Sequence, residues 1–343
     1  MPDRPPIQRA AWRLDVSDAV PLDGRFEIAA DLIAPQAEHA DSARPVLCCL
    51  PGGFLSRRYF DLEVGGDRRY SFAEAMARAG FTTLAFDHLG VGESSRPNRL
   101  EDGYALDTEA IARINQTALE RALERLRAGA DEASLHLPAR STVRTIGVGH
   151  SMGSMLTVEQ QALARPHLAL VLFSFSTRGT PAFLDEATAA YANDSERSRK
   201  EIGSLAARAM GSPYPDRATD SEAGRRAAFG VGTAPPSAEE ALHGAATNLL
   251  AVGGLLSMIP GGYAPPAKRI DVPVLMLAGD HDMHDDRHTH DELSRSPRVD
   301  TRIIDDCWHC HFVANTRETI WRDVTDWIDE ILADGRPLPE ETP

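Results

Sequence analysis

Gly149-His150-Ser151-Met152-Gly153 sets a serine between two glycines, with an apolar run ending at Val148 and a helical pattern starting at Met152. The G-x-S-x-G spacing is that of a nucleophile elbow. A serine hydroxyl attacks a carbonyl only if it is held out from a tight strand-to-helix turn, and flanking glycines remove side chains that would clash there. The helix start then aims free N–H groups and the positive end of its dipole at developing negative charge. Such a hydroxyl needs a base. The segment Asp305-Asp306-Cys307-Trp308-His309-Cys310-His311-Phe312 offers two imidazoles, His309 and His311, whose ordinary pKa near neutrality suits taking a proton and returning it. Asp280 and Asp282, in Gly279-Asp280-His281-Asp282, are carboxylates able to orient a base.

These groups lie far apart in the chain, so regular elements must bring them together. Trp12 to Val16 and Phe26 to Ile33 read as an opening hairpin with turn chemistry at Pro21-Leu22-Asp23-Gly24. Val46 to Leu50 is a short continuous apolar run, the pattern of a strand buried on both faces, and Phe81 to Phe86, Val143 to Val148, Leu168 to Ser174 and Val274 to Ala278 also read as strands. A further strand is expected at Thr301 to Asp305. Helices are expected at Ser71 to Ala79, at Asp107 to Arg127 with Asp107 as cap and Gly129 as stop, at Met152 to Ala164, and at Thr316 to Ala333. The alternation implies an α/β protein with a mostly parallel sheet flanked by helices. Residues 178–270 break it: they are rich in Gly and Pro, carry helical patterns and hold no convincing buried strand. They read as a helical insertion in a core made of residues 1–177 and 271–343.

Composition is that of a globular chain: 343 residues, 42% hydrophobic and 25% charged, enough to bury a sizeable core. The formal net charge of −15 argues against a nucleic-acid partner, which needs clustered Lys and Arg. No apolar run is long enough to cross a bilayer, and the opening sixteen residues do not resemble a signal peptide. The four cysteines, Cys48, Cys49, Cys307 and Cys310, do not read as a disulfide framework. A reducing cytoplasm is the expected location, with a small-molecule substrate and a homo-oligomer possible.

With its elbow, the chain resembles the α/β-hydrolase superfamily, in particular the cap-bearing, serine-dependent, esterase-like branch. Leu50-Pro51-Gly52-Gly53-Phe54 stands where that family commonly carries a His-Gly loop. Asp87-His88-Leu89-Gly90-Val91-Gly92-Glu93-Ser94 resembles its D-x-x-G-x-G-x-S turn, and Gly279 to Asp282 its acid-bearing segment. The resemblance covers roughly residues 12–176 and 271–333. It implies Ser151 as nucleophile, His309 as base by its spacing after the last strand with His311 as the alternative, and Asp282 as the orienting acid. The Ser174 to Thr177 segment offers no carboxylate for that last role. The N–H of Met152 with that of Gly53 or Phe54 would form the oxyanion hole. Pro51 departs from the family's His and loosens the register of that loop.

The chemistry so implied is hydrolysis of a carboxylic ester or lactone, with no cofactor and no metal. C–C bond hydrolysis, thioester hydrolysis or acyl transfer would use the same triad, and a non-catalytic binding protein would keep the fold alone. Two clusters carry zinc-type donors. His281, His284, His288 and His290 among acidic residues read as an exposed loop, and Cys307, His309, Cys310 and His311 hold the expected base. Arg57 and Arg58 read as solvated or paired with nearby acids. The apolar run Leu249 to Ile259 either lines a substrate pocket or packs the insertion onto the sheet.

Overall fold

A computed structural model describes residues 6–36, 43–132, 135–216, 233–283 and 289–334, together with residues 224, 226, 228 and 230. Its main sheet has eight strands in the order β1-β2-β4-β3-β7-β8-β9-β10. These are β1 (Ile7–Asp15), β2 (Glu27–Pro35), β3 (Val46–Leu50), β4 (Thr82–Phe86), β7 (Thr145–His150), β8 (Ala169–Phe173), β9 (Val274–Gly279) and β10 (Val299–Ile304). β1 and β2 pair antiparallel, and so do β2 and β4; every other pairing in the sheet is parallel. β3, β4, β7, β8 and β9 are buried along their whole length. That is the physical content of their unbroken apolar runs: both faces are covered.

Side chains alternate between two cores. Val46, Cys48 and Leu50 of β3 join one, with Leu170 and Leu172 of β8; Leu47 and Cys49 join the other, with Val171 and Phe173. The first core is closed by helices α2 (Thr108–Ala128) and α3 (Met152–Ala164), through Ile111, Ile114, Met155 and Leu156. The second is closed by α1 (Phe72–Arg78) and by the final helix, Arg317–Ala333, through Phe72, Met76, Trp327 and Ile328. The helix ends obey their capping residues. Asp107 accepts the Ala110 N–H at 2.8 Å, Ser71 accepts that of Glu74 at 2.9 Å, and Gly129 stops α2 at φ +77°.

Between β8 and β9 the described elements are all helical: a 3-10 turn at Pro181–Phe183, α4 (Glu186–Ala189), α5 (Ser195–Met210), α6 (Pro236–Ala245), α7 (Ala251–Met258) and α8 (Ala264–Ala267). α5 is clasped to α3 by Arg199, whose two terminal nitrogens each lie 2.8 Å from an oxygen of Glu159. Three features depart from expectation. β1 begins at Ile7 because Ile7–Ala11 pairs in register with Asp31–Pro35, a partnership invisible in its weak apolar pattern. β10 spans Val299–Ile304. A two-stranded ribbon, β5 (Ala130–Glu132) with β6 (Leu135–Leu137), joins α2 to β7; strands of three residues are too short to show a period. The remaining helices are α9 (Thr289–Glu292) and α10 (Arg317–Ala333).

His167, in the connection from α3 to β8, gives the fold a pH dependence. It is 2% exposed, and burial pushes its pKa down to about 3. An unfolded histidine titrates at about 6.5. Below that pH the unfolded chain takes up a proton that the folded one refuses, so the stabilisation present above pH 6.5 is lost as pH falls toward 3. By pH 5 the loss is about 2 kcal/mol. The drop in Tm between pH 7 and pH 5 is expected to be smaller in His167→Gln than in the parent, measured by thermal denaturation followed by circular dichroism. An equal drop in both would count against this assignment.

Candidate active site

Across the sheet the strand order reverses between β3 and β7, since β4 lies on one side of β3 and β7 on the other. Loops leaving the C-terminal ends of strands at such a reversal diverge and leave a crevice. Ser151 follows β7 there, and Pro51-Gly52-Gly53-Phe54 follows β3.

The elbow is strained and fully specified. Ser151 adopts φ +54° and ψ −122°, a conformation that L residues rarely take. Its N–H is held by the Phe173 carbonyl at 2.8 Å. Gly153 lets α3 touch the end of β3, because a Cβ there would fall 2.1 Å from the Leu50 carbonyl oxygen. A Cβ on Gly52 would stand 2.6 Å from His150 Nδ1 and 3.1 Å from Ser151 Cβ, so the β3 loop runs directly against the elbow. The Met152 N–H opens α3, and no hydrogen bond among the described residues takes it or the N–H groups of Gly53 and Phe54. Phe54 sits at φ +61°, and its carbonyl accepts the Thr247 N–H at 2.9 Å.

Two residues from distant turns complete the cluster. His309, in the loop after β10, brings Nε2 to 2.9 Å from Ser151 Oγ. Its Nδ1 stands 2.7 Å from Asp282 Oδ1, in the turn after β9. Asp282's side chain is fully buried, and Oδ1 also accepts the Met283 N–H at 2.7 Å. Burial alone would push this carboxyl up, but the neighbouring His309, with hydrogen bonds from His309 and His311, outweighs it and holds Asp282 well below the usual carboxylate range. Asp280 does something different: it accepts the Cys307 N–H at 3.0 Å and ties the two loops together. His311 does not reach the serine through any hydrogen bond among the described residues; its Nε2 lies 3.2 Å from Asp282 Oδ2.

Several supporting residues have no sequence signal. His150, at a free position of the elbow motif, is 1% exposed, and its Nε2–H donates to the His309 carbonyl at 2.9 Å. Burial pushes its pKa well below normal, and the adjacent His309 and His311 add to that. His88 donates from Nε2 to the Pro51 carbonyl at 3.1 Å, while the Asn115 amide lies 3.4 Å from its Nδ1. The residue after Asp87 thus holds the β3 loop. Arg57 is buried and paired with Asp87 at 2.6 Å, Asp31 at 3.0 Å and Glu93 at 3.0 Å. Arg58 is exposed and pairs with Glu93. The run Leu249 to Ile259 lies against the β3 loop: a Cβ on Gly53 would fall 2.7 Å from Leu249 Cδ1, and one on Gly253 would fall 3.3 Å from Met152 Sδ.

Neither cluster of zinc-type donors assembles among the described residues, where no group of three His, Cys, Asp or Glu side chains is placed to hold an ion. His281 stacks on Trp308 with ring centroids 5.1 Å apart, Cys307 and Cys310 are buried and form no disulfide, and His284, Asp285, Asp286 and His288 lie outside the described residues. No described helix is long and apolar enough to cross a membrane.

Comparison with known proteins agrees with this architecture. Among solved structures, an esterase from Thermogutta terrifontis superposes with a TM-score of 0.55 at 15% identity, over 93% of this chain and 99% of its own. A proline iminopeptidase from Mycobacterium smegmatis gives a TM-score of 0.59 at 18% identity, over 95% and 100%. A bromoperoxidase from Bacillus anthracis gives a TM-score of 0.56 at 16% identity, over 95% and 100%. At such identities the likeness concerns the fold. A search of curated proteins finds no match. Residues 46–320, most of the chain and all of the cluster just described, match the profile of the alpha/beta hydrolase family, and the chain belongs to that family.

Proposed function

We propose that this alpha/beta hydrolase is a serine hydrolase that cleaves a carboxylic ester or lactone through an acyl-enzyme. The observation that carries the reading is the unbroken hydrogen-bonded series from Ser151 Oγ through both nitrogens of His309 to Asp282. As the Ser151 oxygen forms its bond to the substrate carbonyl carbon, its proton passes to His309 Nε2, and Asp282 steadies the imidazolium through Nδ1. The carbonyl oxygen gains charge and is held by the N–H of Met152 and that of Gly53 or Phe54. The C–O bond then breaks, and His309 returns the proton to the departing alcohol. Water, losing a proton to His309, attacks the acyl carbon; the bond from that carbon to Ser151 Oγ then breaks, His309 returns the proton to Ser151, and the acid leaves.

Residues 178–270 would act as a cap on a core of residues 1–177 and 271–343, and Leu249 with its neighbours would face the acyl group of a small, partly apolar substrate in the cytoplasm. Rapid mixing with a p-nitrophenyl ester tests the chemistry. Expected is a burst of about one equivalent of p-nitrophenolate, with an acyl adduct found by mass spectrometry on the peptide that carries Ser151. An adduct on another residue, or no turnover across short-chain esters and lactones, would overturn the proposal.

A further inference from the structure

Asp282 receives two imidazoles, one on each oxygen. His309 takes Oδ1. On Oδ2, His311 Nε2 stands at 3.2 Å and the Ser174 hydroxyl donates as well, with Ser174 Oγ 3.4 Å from the same His311 nitrogen. His311 is completely buried. Its other nitrogen, Nδ1, is also buried and meets no hydrogen-bond partner. A proton on Nδ1 would therefore stand in a dry site with no acceptor, whereas a proton on Nε2 has a carboxylate in front of it. The ring is thus the Nε2–H tautomer, a donor to Asp282. The titratable groups facing it are Asp282, His309 with ring centroids 6.5 Å away, and His150 at 5.7 Å; Phe173 covers another side at 5.5 Å.

We infer that His311 is a positioning residue: with Ser174 it ties down the outer oxygen of Asp282, so that the carboxylate keeps its inner oxygen on His309 and does not hold that base too tightly. The inference rests on the serine-hydrolase reading above. Its physics is a division of charge. A carboxylate with strong donors on both oxygens spreads its negative charge over them and draws less on any one proton. Without His311, Asp282 keeps only the Ser174 hydroxyl on its outer oxygen and draws more strongly on the His309 proton. Imidazolium then persists to higher pH, and the acid limb of kcat/KM moves up. A substrate-facing histidine would alter KM; this one acts through the base and leaves KM near its starting value.

The paired variants are His311→Phe, which fills the space without a donor, and His311→Gln, whose amide restores one. His311→Phe is expected to lose on the order of ten- to a hundred-fold in kcat, the scale of a hydrogen bond to a charged group. Its KM should change little, and its acid limb should shift upward. His311→Gln is expected to recover most of kcat and the parental pH profile. Nitrogen NMR of the parent with labelled histidine needs no variant: it should show two imidazole N–H groups bonded to carboxylate, with His311 protonated at Nε2 alone. Equal kcat and acid limb in His311→Phe and the parent, or a His311 ring protonated at Nδ1, would overturn the inference. If instead the parent forms no acyl adduct on Ser151, the parent reading falls and this inference falls with it; an acylated parent with an indifferent His311→Phe defeats the inference alone.

Discussion

Ser151→Ala is expected to lower ester turnover by about 10⁴- to 10⁶-fold while leaving the fold intact. The first half follows from position: the Ser151 oxygen is 2.9 Å from His309 Nε2, and no other hydroxyl is hydrogen-bonded to that nitrogen among the described residues. The second half follows from the backbone. Ser151 already carries its strain at φ +54°, held by its own N–H on the Phe173 carbonyl and by glycines on both sides, and alanine inherits each of these without change. Alanine removes one hydroxyl from a partly exposed site, and the only side-chain hydrogen bond lost with it among the described residues is that to His309 Nε2. The residual rate would come from N–H groups that still polarise the carbonyl. The measurement is kcat/KM on a p-nitrophenyl ester beside the Tm of both proteins. A variant retaining a tenth of parental activity would place the nucleophile elsewhere.

How far the sequence reveals such a site depends on the range of the interactions that build it. Ser151 is legible because an elbow is local: strand, glycine, serine, glycine and helix are consecutive. The helix ends at Ser71, Asp107 and Gly129 are legible for the same reason, and the five central strands because burial on both faces leaves them mostly apolar, without an alternating polar face. Asp282 and His309 stand out only through their placement after β9 and β10, and the rule that favours His309 over His311 is spacing within one loop. What His311, Ser174 and His150 touch could not be read. Each interacts across 108 to 159 residues, through ring orientations that no pattern encodes. The insertion shows the limit from the other side. Its helical content is apparent in its patterns, yet the contact of Leu249 with Gly53 depends on how α7 is laid over the β3 loop, and both residues are ordinary in type. Arg57 reads from sequence as solvated or paired with acids, and which acids is not legible because Asp31, Asp87 and Glu93 come from separate segments.

Asp282→Asn should separate the orienting role of the carboxylate from its charge. An amide placed with its oxygen toward His309 keeps the acceptor that fixes the base's Nδ1–H. Its NH₂ then replaces Oδ2, where Ser174 and His311 now donate. Both can turn around. The serine hydroxyl rotates to accept, and His311 can accept at Nε2 only by carrying its proton on the partnerless Nδ1, at the cost of one buried unsatisfied donor. With the amide oxygen toward His309 the orientation survives and the negative charge is lost; with NH₂ toward His309 the base is also held in the wrong tautomer. Without the charge the imidazolium formed during attack has no counterion, which is expected to reduce kcat by about 10³- to 10⁴-fold. The sign of the pH effect follows. A carboxylate favours the protonated imidazole, so its neutral replacement lets His309 lose its proton at lower pH, and the acid limb of kcat/KM moves down. His311→Phe moves the same limb up, because it leaves the charge in place and strips away a competitor for it. Opposite displacements, read from pH profiles of the two variants under one buffer series, would mean that a single carboxylate is shared between two histidines. An acid limb that stays in place in His311→Phe while Asp282→Asn moves it down would mean that it serves His309 alone.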